Sequence, residues 1–181
     1  MSALNLPKSR ARRICEAMAR RIETDSVVGP CLENKILFIQ SITQLRDGNH
    51  TLTKNRLYIA GESLVENSVG TGRHGSQSVA TSLVYTFGRT TKDQDSDPLE
   101  WLDVVEAIFT ALQQEKGELY DEDHTLLTKA LLKLDRAPKP VALRDGSVMA
   151  VELIATHTTP DFHLENRRDL SEPQADGIPI V

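Results

Sequence analysis

The sequence predicts an α+β fold, in which a single mostly antiparallel sheet is packed by an N-terminal helix and by one long central helix. Three observations lead to this prediction. The stretch Gln77–Gly88 alternates as a strand does, the segment after Asp97 has a helical period, and no internal repeat divides the 181 residues. This length suits one domain. We expect residues 1–164 to form that domain and residues 165–181 to form an extended C-terminal tail.

The first helix is expected to begin after a capping Ser9 and to end near Thr24. One of its faces repeats apolar residues every four positions: Ile14, Met18 and Ile22. The rest of the helix is basic, because residues 8–21 carry six cationic side chains against Glu16 alone. Such a face can contact phosphates, the acidic surface of a partner or only solvent. The sequence leaves these three alternatives open.

Three strands are predicted between the two helices. Residues 35–42 favour a strand over a helix because the apolar run is short and a turn follows it. Residues 57–66 predict a second strand, in which Gly61 marks a bulge or a close approach of another backbone. In the third strand, Gln77–Gly88, one face carries Val79, Thr81, Leu83, Tyr85 and Phe87.

The long central helix is expected to start with Asp97 as its N-cap, Pro98 in the first turn and Glu100 closing a capping box. Its predicted buried stripe comprises Leu102, Val105, Phe109 and Leu112, widened by Trp101 and Ile108. Gly117 is expected to end it. Residues 126–134 fit a helix and a strand equally well. Residues 148–157 predict the last strand, and apolar residues become sparse beyond residue 161.

Composition narrows the class of protein. Lys and Arg total 21 against 26 Asp and Glu, which gives a formal net charge of −5. That balance argues against a dedicated nucleic-acid-binding domain, since such domains are basic overall. We expect no membrane helix and no secretory signal, because no apolar run is long enough. Cys15 and Cys31 are expected to be reduced thiols of an intracellular protein.

The motifs that resemble catalytic or ligand sites lack the context that such sites need. Residues 70–75 spell G-x-G-x-x-G, but they precede a strand instead of opening a helix, so we expect a hairpin tip. The acidic clusters 93–97 and 118–123 are expected to be solvated loop charge. No zinc spacing joins the histidines, which we expect at the surface or at strand edges: His50, His74, His124, His157 and His163. We therefore predict no catalytic residue, no cofactor and no metal.

The order of elements resembles the tail terminator proteins of long-tailed bacteriophages, a tail-completion and head–tail joining family. The matching segments are LYIAGES at 57–63, ATSLVYT at 80–86, DPLEWLD at 97–103 and VMAVEL at 148–153. The resemblance extends over nearly all of residues 9–162. It departs from the family at residues 126–143, where the family has a clear strand.

This resemblance implies a structural virion protein of the phage neck. Family members form a ring, a hexamer, that caps the tail tube, ends its polymerisation and joins it to the head connector. The implied partners are further copies of the chain, the tail tube protein and the connector or stopper protein. DNA passes through the lumen only as cargo, no membrane is involved, and assembly takes place in the host cytoplasm. The alternatives are another connector component, such as a stopper or closure protein, and a nucleic-acid-binding α+β module that uses the Arg-rich helix.

Seven residues are predicted to contact partners or other copies: Arg10, Arg13, Arg20, Arg73, His74, Ile178 and Ile180. The first three lie on the basic face of the first helix, and the next two lie in the glycine-rich loop. The two isoleucines end an acidic, proline-punctuated tail. An apolar segment on a polar tether suits docking on another chain.

Overall fold

The computed structural model describes residues 8–33, 35–46, 53–65, 77–88, 97–128, 133–134, 140–143 and 148–159. The helices are α1 (Arg10–Thr24), α2 (Ile42–Arg46) and α3 (Glu100–Gln113). The strands are β1 (Leu37–Ile39), β2 (Arg56–Val65), β3 (Gln77–Gly88), β4 (Leu119–Tyr120), β5 (Leu126–Thr128), β6 (Lys133–Leu134), β7 (Val141–Leu143) and β8 (Val148–Thr159). These elements confirm the predicted α+β class. The predicted boundary at residue 164 lies outside the described residues.

Helix α1 has the bounds and the buried face that its sequence predicts. The Ser9 hydroxyl accepts a hydrogen bond from the Arg12 backbone N–H at 3.3 Å, which satisfies one of the unpaired donors of the first turn. The apolar stripe is fully buried, and it consists of Ile14, Met18 and Ile22. After the helix, the Asp25 carboxylate accepts the backbone N–H groups of Val27 and Val28, each at 2.9 Å. These bonds hold the pKa of Asp25 below its ordinary value.

The main sheet has the strand order β1-β2-β3-β8-β6, and β7 also pairs with β8. Strands β2, β3 and β8 are antiparallel, and β3 and β8 pair without a break from Gln77–Thr159 to Gly88–Val148. The register of β2 shifts between Ala60 and Ser63, which confirms the predicted bulge. Strand β1 departs from the antiparallel pattern because it runs parallel to β2.

The strand predicted over residues 35–42 is shorter than expected. It spans only Leu37–Ile39, and the chain then forms the short helix α2. The physical reason is the spacing of Ile42 and Leu45, which lie three residues apart and pack in one apolar cluster on the sheet. A continued strand would direct these two side chains to opposite faces.

Apolar residues cover both faces of the sheet. The larger cluster joins α1 and α3 to the alternate residues of β3 and β8 that include Leu83 and Leu153. A smaller cluster on other residues of the strands includes Tyr58, Val84 and Ala150. Both faces of β8 are therefore buried, as Ala150 and Val151 show. A strand buried on both faces has a nearly continuous apolar sequence. None of the helices in the described ranges is long and apolar enough to cross a membrane.

Helix α3 begins later than predicted. Its first residue is Glu100, and Asp97 caps the preceding turn, accepting the Leu99 N–H at 2.8 Å. The Asp97 N-cap prediction is therefore wrong by two residues. The helix ends at Gln113, and three consecutive residues with positive φ follow: Glu115, Lys116 and Gly117.

The buried stripe of α3 is also rotated from the predicted one. The buried residues are Val104, Val105, Ile108, Ala111 and Leu112. Leu102 is 39% exposed, and Phe109 and Trp101 are only partly buried at the edge of the core. Trp101 stacks on Phe87 with ring centroids 5.4 Å apart. Aliphatic side chains thus occupy the interior contact, and the aromatic rings lie at its rim.

Two short strands resolve the segment that fitted a helix and a strand equally well. Residues 126–128 form β5, and residues 133–134 form β6. Strand β5 pairs with β4 in a separate two-stranded sheet, whereas β6 pairs with β8 in the main sheet.

Candidate assembly surface

The arginines of α1 bind the small β4–β5 sheet through its backbone. Arg10 donates from Nε and Nη2 to the carbonyl oxygen of Leu127, at 3.1 and 2.7 Å. Arg20 donates from Nη2 to the carbonyl oxygen of Tyr120 at 3.3 Å. Helix α1 is therefore attached to β5 through Arg10 and to β4 through Arg20.

Ion pairs reinforce this attachment. Arg13 Nε lies 2.7 Å from Asp121 Oδ2, and Arg20 Nη1 lies 3.2 Å from Glu122 Oε1. The acidic cluster 118–123 is thus not merely solvated, contrary to expectation. Its carboxylates meet α1 because the chain returns along that helix after α3. Sequence spacing does not reveal this approach, since the partners are about a hundred residues apart.

Three of the seven predicted contact residues are therefore engaged within the chain: Arg10, Arg13 and Arg20. Their contact with a partner stays a prediction. The other four, Arg73, His74, Ile178 and Ile180, lie outside the described residues, as does the G-x-G-x-x-G stretch.

The first turn of α1 keeps an excess of positive charge. Lys8 Nζ and Arg12 Nε lie 2.9 and 3.0 Å from the two oxygens of the Glu16 carboxylate. Partial burial favours a higher pKa of Glu16, but the hydrogen bonds from Lys8 and Arg12 outweigh it, so the pKa is lowered. Two cations therefore face one carboxylate, and this group carries a net charge of +1.

A groove of about 420 Å³ opens between α1 and the sheet, beside this charged group. We call it the α1 groove. Its lining is mostly apolar and includes Ala11, Ile39, Ile59 and Val79, with Arg12 and Glu16 among its polar members. Phe38 also lines the groove and is 53% exposed.

Strand β1 forms one end of the main sheet next to the groove. Within the described residues it pairs only with β2, so its outer backbone groups face no described strand. Leu37 and Phe38 are 39% and 53% exposed. An edge strand with exposed apolar side chains is a template for pairing with another chain. Sequence reasoning missed this surface, although the apolar run at 35–42 contained its residues.

The cysteines are free thiols, as predicted. Cys15 lines the α1 groove, and its Sγ lies 3.7 Å from the Thr81 hydroxyl oxygen. Burial raises the pKa of the Cys15 thiol, which disfavours the nucleophilic thiolate. Cys31 is exposed and donates to the Val27 carbonyl at 3.3 Å.

His157 contradicts the expectation that the histidines lie at the surface or at strand edges. It is fully buried, and neither ring nitrogen has a hydrogen-bond partner among the described residues. Burial, reinforced by the charge of Arg21, lowers its pKa to about 4. The signal was in the sequence, because residue 157 continues the alternation of Val151, Leu153 and Ala155. Among the described residues, no group of three His, Cys, Asp or Glu side chains is placed to hold a metal.

Comparison with solved structures finds chains of similar structure. No protein-family model matches the chain, and no curated protein sequence matches it. A chain of the virion of a native gene transfer agent particle has a similar structure, with 12% identity and a TM-score of 0.48. The likeness covers 85% of this chain and 99% of that chain. At this score it carries no argument about function.

Proposed function

We propose that this chain is a structural virion protein of the phage neck. It forms a homo-oligomeric ring that caps the tail tube, ends tube polymerisation and joins the tube to the head connector. The proposal is supported by the resemblance to tail terminator proteins. Its matching segments fall in β2, in β3, at the start of α3 and in β8, which is the order that the resemblance requires.

The observation that carries the proposal is the open edge formed by β1 and the α1 groove. A half-exposed Phe38, and a strand edge that no described strand of the chain pairs with, lie beside an apolar groove. Such a surface suits protein association better than small-molecule chemistry. We propose that one copy uses this edge to contact the next.

The nucleic-acid alternative is less well supported. It relies on the arginines of α1, but Arg10, Arg13 and Arg20 are bonded to β4, β5 and the connecting turn. Their proposed part in assembly is to hold the β4–β5 sheet against α1. The stopper alternative implies a closed barrel, whereas the described strands form an open sheet with β1 and β6 at its ends.

The mass of the native chain tests the ring. We expect light scattering and native mass spectrometry to give a multiple of the 20.1 kDa chain mass, and electron microscopy to show rings. Phe38→Asp should weaken association at least about tenfold. Leu99→Asp is the matched control, because Leu99 is similarly exposed, at 58%, but directly precedes α3 and does not belong to β1. A monomer at every concentration, or equal effects of the two variants, would contradict the proposal.

The capping role has its own experiment. The purified chain is added to growing tail tubes of the same virus, and tube lengths are measured by electron microscopy. We expect shorter tubes with a ring at one end, and Phe38→Asp should restore their growth. If tube lengths do not change at saturating concentrations of the chain, the terminator role is refuted and only the oligomeric state remains supported.

A further inference from the structure

We infer that the α1 groove receives residues 178–181 of a neighbouring copy. The inference rests on the proposed ring, and it identifies the contact through which the tail joins one copy to the next. The first argument is chemical. The groove offers an apolar lining next to the β1 edge, which pairs with no strand other than β2 in the described ranges. A short extended apolar segment is the ligand that such a site selects.

The segment Ile178-Pro179-Ile180-Val181 fits this description. In an extended chain, residues two apart point to the same side, so Ile178 and Ile180 can both enter the groove. Pro179 favours the extended backbone and lacks an N–H, which a strand at a sheet edge tolerates on its outward side.

Charge favours the same occupant. Lys8, Arg12 and Glu16 leave a net charge of +1 beside the groove. Residues 165–177 contain four carboxylates and two arginines, a net charge of −2, and Asp176 lies two positions before Ile178. The tether thus brings negative charge to the cationic side of the groove. This favours an apolar segment on an acidic tether over the same segment on an uncharged tether.

The tether is long enough to reach another copy. The last described residue, Thr159, pairs with Gln77 at one end of β3. The 18 residues 160–177 span up to about 60 Å when extended. That reach exceeds the size of one small domain, so a copy placed beside the first in a ring lies within range.

Cys15 provides a direct test, because it lines the groove. One full-length chain carries Cys31→Ser and keeps Cys15 as its only thiol. The other carries Cys15→Ser, Cys31→Ser and Ile180→Cys, with the introduced thiol activated as a pyridyl disulfide. Mixing the two at mildly alkaline pH should give a covalent heterodimer through thiol–disulfide exchange. Ala175→Cys in place of Ile180→Cys is the matched control and should give at least about tenfold less product.

A second measurement does not depend on where an introduced thiol is placed. Residues seated in the groove shield Cys15, so the double variant Ile178→Asp/Ile180→Asp in a Cys31→Ser chain should speed its alkylation by N-ethylmaleimide at least about tenfold. Ala175→Asp is the control and should leave the rate unchanged.

The outcomes separate this inference from the proposed ring, since light scattering is recorded on the same samples. Rings without cross-linking and without a change in alkylation would overturn the groove assignment and leave the ring intact. A third chain with Cys31→Ser and Ile180→Cys carries both thiols. A disulfide that forms only within this chain, and never between copies, would show that the groove holds the chain's own tail and would also overturn the inference. Cross-linking between copies without a ring would refute the ring alone.

Discussion

Two identical truncations in α3 test where this helix meets the core. Leu112 is 1% exposed and Leu102 is 39% exposed, although the sequence places both in one apolar stripe. Leu112→Ala and Leu102→Ala remove the same atoms from the same helix. Differences in helix propensity and in the unfolded chain therefore largely cancel between them.

The expected magnitudes follow from burial. Truncating a fully buried Leu to Ala costs about 3–5 kcal/mol, because a closed cavity adds to the lost transfer energy. At Leu102 more than a third of the side chain already meets water, and its removal leaves an open surface. We expect a cost there of about 1 kcal/mol. The free energies of unfolding of the two variants should thus differ by about 2–4 kcal/mol, or roughly 4–16 °C in Tm.

The assay is urea unfolding followed by circular dichroism at the helix band. Both variants are compared with the unsubstituted chain at one concentration at which light scattering gives all three the same mass, because assembly shifts apparent stability. Equal m-values would license the comparison. Equal losses, or a larger loss for Leu102→Ala, would refute the observed orientation of α3.

Two further predictions concern charged and titratable groups. A double-mutant cycle with Arg13→Gln and Asp121→Asn should give a coupling of about 0.5–1 kcal/mol that shrinks in high salt; no coupling would mean that the pair does not hold the β4–β5 sheet. Because the pKa of His157 is lowered to about 4, the unfolded chain takes up its proton at higher pH than the folded chain. The stability that this group contributes is complete above about pH 6.5 and is lost as pH falls through about 4, with a loss of about 1.3 kcal/mol between about pH 7.5 and 5.5. Urea titrations should show this slope and its absence in His157→Phe, and parallel profiles would contradict it.

Local physics made much of the fold readable from the sequence. The Ser9 cap and the four-residue apolar repeat define α1, and strict alternation defines β3. The β2 bulge occurs where Gly61 predicts it. Each of these features depends on neighbours within a few residues, so it can be predicted directly from the sequence.

The groups that form the candidate surface depend on distant partners instead. The arginines of α1 read as a free basic face until the chain near Asp121 is placed against them. The apolar run that contains Phe38 predicts only a strand, and its exposure follows from the place of β1 at the end of the described sheet.

The sequence by itself determined the class of fold, the first helix and the central strands, because capping and periodicity are local properties. Only the tertiary structure decided which side of α3 is buried, which charges are paired and which strand edge stays open. Apolar side chains lie on more than one side of α3, and tertiary packing buries the side that carries Val104 and Ala111. Packing and long-range charge pairing are properties of surfaces that meet only after the chain has folded.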